Sequence, residues 1–131
     1  MEALLNFFEN IDADGLEKLD QYYTDDCYFR DPFNEVHSRD ELYNLFKAML
    51  KLKDLGFDIH DRIQQGDKAF ITWDFRFKAL GKQQCIHGGS LLTFAEDGRV
   101  KSHVDYWDAA EGVYEKIPGL GSILRLIKKA F

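Results

Sequence analysis

The chain has 131 residues, a net charge of −6 and an aromatic content of 15%, with a pI of about 5.1. An apolar fraction of 45% excludes a disordered chain, and the acidic balance argues against a nucleic-acid-binding surface, which usually carries a basic patch. The amino-terminal stretch MEALLNFFENIDADG lacks the basic segment of a signal peptide, and no apolar run reaches the ~18 residues of a membrane span. We therefore expect a cytoplasmic protein that folds as one domain over residues 1–131.

Helical spacing dominates the first part of the chain. Apolar residues recur every three or four positions in three stretches: 4–11, 16–23 and 42–50. Ser38 and Glu41 have the spacing of a capping box, which indicates where the third helix starts, and this helix is expected to end near Gly56. A short extended segment at 27–29 separates the second stretch from the third. The sequence therefore predicts three amino-terminal helices.

The pattern changes to a period of two residues after Gly56, which indicates strands. Four runs follow, separated by turn signals at 66–67, 81–82 and 96–98: 57–65, 68–80, 84–95 and 99–108. In the first run, Ile63 is expected on the same face as Phe57 and Ile59. In the third run, the pair Gly88 and Gly89 suggests a β-bulge.

The second run predicts a sheet with one apolar and one polar face. Its apolar positions are Ile71, Trp73, Phe75 and Phe77. Its polar positions are Thr72, Asp74, Arg76 and Lys78. Together with Phe70, the polar face is a mixture that suits a subunit interface, and we expect a homodimer formed through this outer face of the sheet.

A last apolar stripe, at 120–131, predicts a carboxyl-terminal helix. Helices followed by an antiparallel meander indicate an α+β fold. The predicted architecture is a curved antiparallel sheet wrapped around three amino-terminal helices. Such a cone-shaped arrangement leaves a hollow between sheet and helices, and concave, mostly apolar hollows are common ligand sites.

The stretch CYFRDPFNEV places a carboxylate, Asp31, directly after an apolar extended run and before Pro32. Aspartate followed by proline is typical of a turn. The residues leave two interpretations open: Asp31 caps the turn, or it presents an acid at the edge of the interior.

The final strand run carries His103, Asp105 and Trp107 on one face, because alternate residues of a strand point the same way. Aspartate is depleted in strands, and a buried carboxylate is costly unless it is paired. A hydrogen bond between His103 and Asp105 would satisfy both groups. Such a pair is either structural or half of an acid–base device.

Other chemical signals are weak. His37, His60 and His87 have no evident partners, and Cys27 and Cys85 have neither metal-ligand nor disulfide-framework spacing. No metal cluster, phosphate-binding loop or activated nucleophile is apparent. We therefore expect no metal and no cofactor.

The chain resembles the nuclear-transport-factor-2-like (NTF2-like) superfamily, and more closely its SnoaL-like and ketosteroid-isomerase-like branch. The stretches that carry the resemblance are YYTDDCYFRDPFNEV, FAEDGRV and HVDYWDAAEGVYEKIPGLG. The resemblance implies the cone-shaped fold and a general-base role for Asp31. It also places Phe7 and Ser90 where ketosteroid isomerases carry oxyanion donors, which disfavours steroid isomerisation of the usual kind. Asp105 matches an acid–base aspartate of limonene-epoxide-hydrolase-like members.

These observations lead to a functional hypothesis with two forms. The protein binds a hydrophobic small molecule in an aromatic cavity. It either catalyses cofactor-independent acid–base chemistry on this molecule, as an isomerase, a cyclase or an epoxide-hydrolase-like enzyme, or serves as a non-catalytic binding or dimerisation module. The candidate catalytic residues are Asp31, His103 and Asp105. The candidate ligand-binding residues are Phe7, Phe29, Trp73, Phe75, Ser90 and Trp107.

Overall fold

The computed structural model describes residues 1–79 and 81–108. Its helices are α1 (Glu2–Glu9), α2 (Ala13–Leu16), a 3₁₀ turn (Leu19–Gln21) and α3 (Arg39–Met49). Its strands are β1 (Tyr23–Arg30), β2 (Glu35–Val36), β3 (Lys53–Gln65), β4 (Lys68–Ala79), β5 (Lys82–Phe94) and β6 (Val100–Trp107). The predicted carboxyl-terminal helix lies outside the described residues.

The strands form one curved, open sheet in the order β2-β1-β6-β5-β4-β3. Neighbouring strands are antiparallel except β1 and β6, which run parallel. On the concave side, α1 contacts β3 and α3 contacts β1, and a continuous apolar core fills the space between helices and sheet. This arrangement confirms the predicted α+β fold. None of the helices in residues 1–79 and 81–108 is long and apolar enough to cross a membrane.

The third predicted helix begins as expected but ends at Met49 rather than near Gly56, because β3 starts at Lys53. The second helix is shorter than expected. The Ser38 hydroxyl accepts a hydrogen bond from the Glu41 backbone N–H at 3.2 Å and so caps α3. The helical pattern at 16–23 instead ends in the 3₁₀ turn, and Tyr23 opens β1. Tyr23 is completely buried and pairs with Val100 of β6. Sheet pairing and burial therefore override the local helical period.

A bulge in β3 corrects the predicted position of Ile63. Ile59 pairs with Trp73, but Arg62 already pairs with Ile71, so β3 has one extra residue between these two pairs. An extra residue exchanges the two faces of a strand. Ile63 therefore lies on the convex face and is 67% exposed.

The predicted bulge at Gly88 and Gly89 is wrong. Both residues pair in continuous register with β4 on one side and β6 on the other. Their small size has another cause: a Cβ at Gly88 would lie 2.6 Å from the indole of Trp73, and a Cβ at Gly89 would lie 2.6 Å from the ring of Phe70. Each glycine makes room for an aromatic ring of β4, one on each face of the sheet.

Candidate functional site

A cavity of about 110 Å³ lies between the concave sheet face and the helices. An engineered apolar cavity of about 150 Å³ binds benzene, so the volume suits a ligand of about one ring. Most of its wall is apolar and aromatic. The polar residues that line it are Asp31, Asn34, Ser90, His103 and Asp105.

The structure brings eight of the nine candidate site residues to this cavity. The lining residues are Phe29, Asp31, Trp73, Phe75, Ser90, His103, Asp105 and Trp107. The exception is Phe7, which is buried behind the wall and stacks on Tyr22 with ring centroids 4.9 Å apart. Its neighbour Phe8 lines the cavity instead.

Asp105 is the centre of a hydrogen-bonded network that joins three strands, β4, β5 and β6. Ser90 of β5 pairs directly with Asp105 of β6, and its hydroxyl donates to Asp105 Oδ1. The indole N–H of Trp73 donates to the Ser90 hydroxyl at 2.9 Å. His103 Nε2 lies 2.7 Å from the same carboxylate oxygen. Asp105 Oδ2 makes no hydrogen bond with residues 1–79 or 81–108, and the carboxylate faces the cavity.

His103 is held on both sides of its ring and is only 4% exposed. Because a carboxylate only accepts, Nε2 carries a hydrogen and donates it to Asp105. In the neutral ring, Nδ1 then accepts from the Tyr23 hydroxyl, 2.7 Å away. Burial raises the pKa of Tyr23 well above its ordinary value, so this phenol keeps its proton. The imidazole is thereby fixed in one tautomer and orients Asp105.

Asp31 has both of the roles that the sequence left open. Its Oδ1 accepts hydrogen bonds from the backbone N–H groups of Phe33 and Asn34 at 2.8 and 2.7 Å, and from the Asn34 side chain at 3.2 Å. The carboxylate thus closes the turn after Pro32 and also lines the cavity. Burial raises the pKa of Asp31, partly offset by these donors, and the negative charge of Asp105 raises it further.

The parallel pairing of β1 with β6 explains why the two acids come together. Phe29 pairs with His103 and Arg30 with Val104, so the next position of this register places Asp31 beside Asp105. Both acids also line an open groove at the end of the sheet, with Trp107 as a shared wall. The carboxylates therefore lie between the apolar interior and the open groove in the part of the chain that the structure describes.

Two hydrogen-bonding residues of the site were not singled out from the sequence. Tyr23 lay in an apparent helical pattern, which concealed its position on the sheet. Asn34 follows the Asp-Pro turn, where a polar residue is unremarkable; its burial is the signal, and burial depends on the fold. The expectation that His37, His60 and His87 lack partners is wrong. His37 contacts Glu35, and His60 and His87 both contact Asp74 on the convex face.

Comparisons with known proteins agree with this architecture. The profile of the SnoaL-like domain matches residues 4–103. No curated protein matches the chain. An NTF2-like protein of unknown function from Burkholderia pseudomallei K96243 is 16% identical with a TM-score of 0.74, covering 87% of this chain and 94% of that one.

Two further solved structures have the same fold. A predicted polyketide cyclase from Acidithiobacillus ferrooxidans is 22% identical with a TM-score of 0.71, covering 88% of this chain and 91% of that one. A protein with a ketosteroid isomerase-like fold from Catenulispora acidiphila, in complex with trimethylamine, is 14% identical with a TM-score of 0.71, covering 86% and 88%. Since the family profile spans well over half of the 131 residues, the chain belongs to the SnoaL-like domain family.

Proposed function

We propose that the protein binds a small hydrophobic molecule in the concave cavity and catalyses cofactor-independent proton transfer on it. The observation that carries this proposal is the Asp105 carboxylate, which two donors fix through one oxygen while it faces an aromatic cavity. A residue type that favours strands would be more stable at this position, yet the position holds an oriented acid. Orientation by a neighbouring group is what an efficient general base requires.

The two carboxylates suit different parts of one reaction. Asp105 Oδ2 takes a proton from a carbon next to a carbonyl group, breaking the C–H bond and forming the enol. Asp31, whose pKa burial raises, supplies a proton to the carbonyl oxygen. In a ketone with a β,γ double bond the intermediate is a dienol: Asp105 returns its proton to the γ carbon, and Asp31 takes back the hydroxyl proton, which completes an isomerisation in which no atom is gained or lost. His103 and Ser90 act as positioning residues.

The cavity favours a small substrate. Typical pockets for drug-sized ligands have volumes of ~300–1,000 Å³, several times larger than about 110 Å³. The Acidithiobacillus protein is a predicted polyketide cyclase, and polyketides are carbonyl compounds. For this chain we favour isomerisation or enolisation of a cyclic ketone or lactone of one ring, with epoxide opening as a related reaction of the same acids.

The test is a screen of small cyclic ketones, lactones and epoxides, with binding followed by tryptophan fluorescence and turnover by product formation. Trp73 and Trp107 both line the cavity, so ligand binding changes their emission. Replacement of an acid–base group typically costs about 10²–10⁴-fold in rate. We expect that loss for Asp105→Asn, with little change in affinity because the aromatic wall supplies most of the binding.

Asp97→Asn is the matched control, since Asp97 is an exposed carboxylate of the β5–β6 turn. It should leave the rate unchanged. A confirmed turnover that Asp105→Asn and Asp31→Asn both leave intact would discard the assignment of these residues.

A non-catalytic binding module is the second candidate, and one observation favours it. The Trp73 N–H donates to the Ser90 hydroxyl, and the Ser90 hydroxyl and His103 Nε2–H donate to Asp105. Within residues 1–79 and 81–108, these donors are therefore committed and none is left to stabilise an oxyanion. Ligand binding without turnover for every class in the screen would support this candidate.

The homodimer predicted from the sequence remains a proposal, supported by the convex face. Ile63, Phe70 and Tyr106 are large apolar side chains exposed there, and exposed apolar patches mark interaction surfaces. Light scattering at micromolar concentration should give twice the monomer mass of 15.3 kDa, and a monomer mass would contradict it. The cytoplasmic location likewise remains a prediction.

A further inference from the structure

A second cluster of reactive side chains lies on the convex face of the sheet, away from the cavity. Asp74 of β4 is its centre: Oδ2 lies 2.9 Å from His60 Nε2, and Oδ1 contacts His87 Nδ1. Cys85 of β5 completes the group. One ligand atom each from Asp74, Cys85 and His87 lies within 4.8 Å of the other two.

The sheet register places these side chains together. Asp74 pairs directly with His87, and Arg76 pairs with Cys85, so the three residues lie on adjacent strands. Alternation puts Cys85 and His87 on the same face of β5. His60 reaches Asp74 from β3, next to the bulge. A rigid three-stranded surface therefore holds the whole group.

We propose that Asp74, Cys85 and His87 form a binding site for a divalent transition-metal ion of the zinc type. Thiolate, imidazole and carboxylate are the ligands that Zn²⁺ prefers, at ~2.0–2.3 Å from the metal. Ligand atoms in such a tetrahedral site are about 3.5 Å apart, so rotation of exposed side chains closes the remaining distance. Three protein ligands leave a fourth position for water.

His60 has a different role in this site. It contacts the carboxylate oxygen of Asp74 that faces away from His87, which is how outer partners orient a metal-binding carboxylate. Arg76 of β4 is the cation that pairs with Cys85. It donates two hydrogen bonds to Asp58. Asp58 thereby offsets part of the positive charge that Arg76 places beside Cys85 and Asp74.

Cobalt(II) is the most informative probe, because a cobalt–thiolate bond gives a near-ultraviolet charge-transfer band. Titration of the reduced full chain with Co²⁺ should reach one equivalent with this band present. Cys85→Ser should remove the band. Calorimetry with Zn²⁺ should show affinity at least about 10-fold weaker for His87→Ala, and about 10-fold or more weaker for His60→Ala, the usual effect of losing an outer partner.

His37→Ala is the matched control, since His37 is an exposed histidine paired with Glu35, well removed along the chain from the cluster. It should bind Zn²⁺ and Co²⁺ as the native chain does. Circular dichroism verifies that each surface variant is folded. Absence of stoichiometric binding by the native chain would overturn the proposal. The proposal would also be overturned if Cys85→Ser and His87→Ala bound the metal ion as the native chain does. The same holds if His37→Ala weakened binding as much as those two substitutions do.

Discussion

Each face of the sheet carries a histidine–aspartate pair, and the two pairs differ in how deeply they are buried. On the concave face, His103 and Asp105 have side chains only 5% and 17% exposed, and the hydroxyls of Tyr23 and Ser90 form hydrogen bonds with them. On the convex face, His87 and Asp74 have side chains 69% and 25% exposed. The same pair of residue types is therefore a fixed element of the core on one side and an adaptable surface group on the other.

The largest difference should appear when each histidine is removed. His103→Ala leaves a cavity, leaves the buried Tyr23 hydroxyl without its partner and removes one of the two donors to Asp105. An unsatisfied buried polar group costs about 1–3 kcal/mol in addition to the cavity. His87→Ala should change stability little, because exposed ion pairs contribute little. Urea unfolding of both variants measures the difference. Equal effects would mean that the concave network is not a structural unit.

The two neighbouring glycines test the same contrast by adding a single methyl group. Gly88→Ala meets the indole of Trp73 on the concave face, where Ser90 and the core hold the ring in place. We expect a cost of about 1–3 kcal/mol, as for other overpacked sites, and a change in Trp73 fluorescence.

Gly89→Ala meets the ring of Phe70, which is partly exposed and can swing outward, although the Ile71 carbonyl oxygen is also close. Its cost in the free energy of unfolding should therefore be smaller. A larger cost for Gly89→Ala than for Gly88→Ala would show that the two faces do not differ in rigidity as described.

The smallest expected effect concerns how stability depends on pH. Its direction should differ between Asp31, a cavity carboxylate, and Asp97, an exposed one. Burial raises the pKa of Asp31, so the folded state binds more protons than the unfolded state above pH ~4, and stability falls as pH rises through the folded pKa. The backbone N–H and side chain of Arg99 lower the pKa of Asp97. The stability that Asp97 contributes is present above pH ~4 and is lost as pH falls.

Asp31→Asn and Asp97→Asn should therefore change the pH profile of unfolding in opposite senses. Between pH 3 and 7, Asp31→Asn should gain stability relative to the native chain as pH rises, whereas Asp97→Asn should lose it. Denaturant unfolding at several pH values measures both profiles. If both substitutions changed the free energy of unfolding in the same direction as pH rises, the desolvation of Asp31 would be contradicted.

The sequence predicts the concave face better than the convex one, for a physical reason. Period-two alternation within β6 is enough to put His103 and Asp105 on one face, because it needs no knowledge of neighbouring strands. The SnoaL-like resemblance added Asp31. Tyr23 escaped notice because its local spacing was helical, and only pairing with β6 reveals it as a strand residue.

The convex cluster depends on contacts between strands, which single-strand patterns do not contain. Asp74 meets His87 through the β4–β5 register and meets His60 across β3. The bulge near His60 also shifts the alternation of β3, which is why Ile63 was assigned to the wrong face. Registers and bulges are set by the assembled sheet, so they follow from the fold rather than from local sequence.

The central claim is that Asp105 is an oriented base facing the cavity, and proton exchange tests it without knowledge of the final product. Small cyclic ketones are incubated with the protein in D₂O, and nuclear magnetic resonance follows deuterium incorporation next to the carbonyl. We predict that the native chain accelerates exchange of at least one ketone, that Asp105→Asn reduces this rate by about 10²–10⁴-fold, and that Asp97→Asn leaves it unchanged. The claim would be contradicted if the native chain bound a ketone without accelerating its exchange. It would also be contradicted if Asp105→Asn accelerated exchange as much as the native chain does.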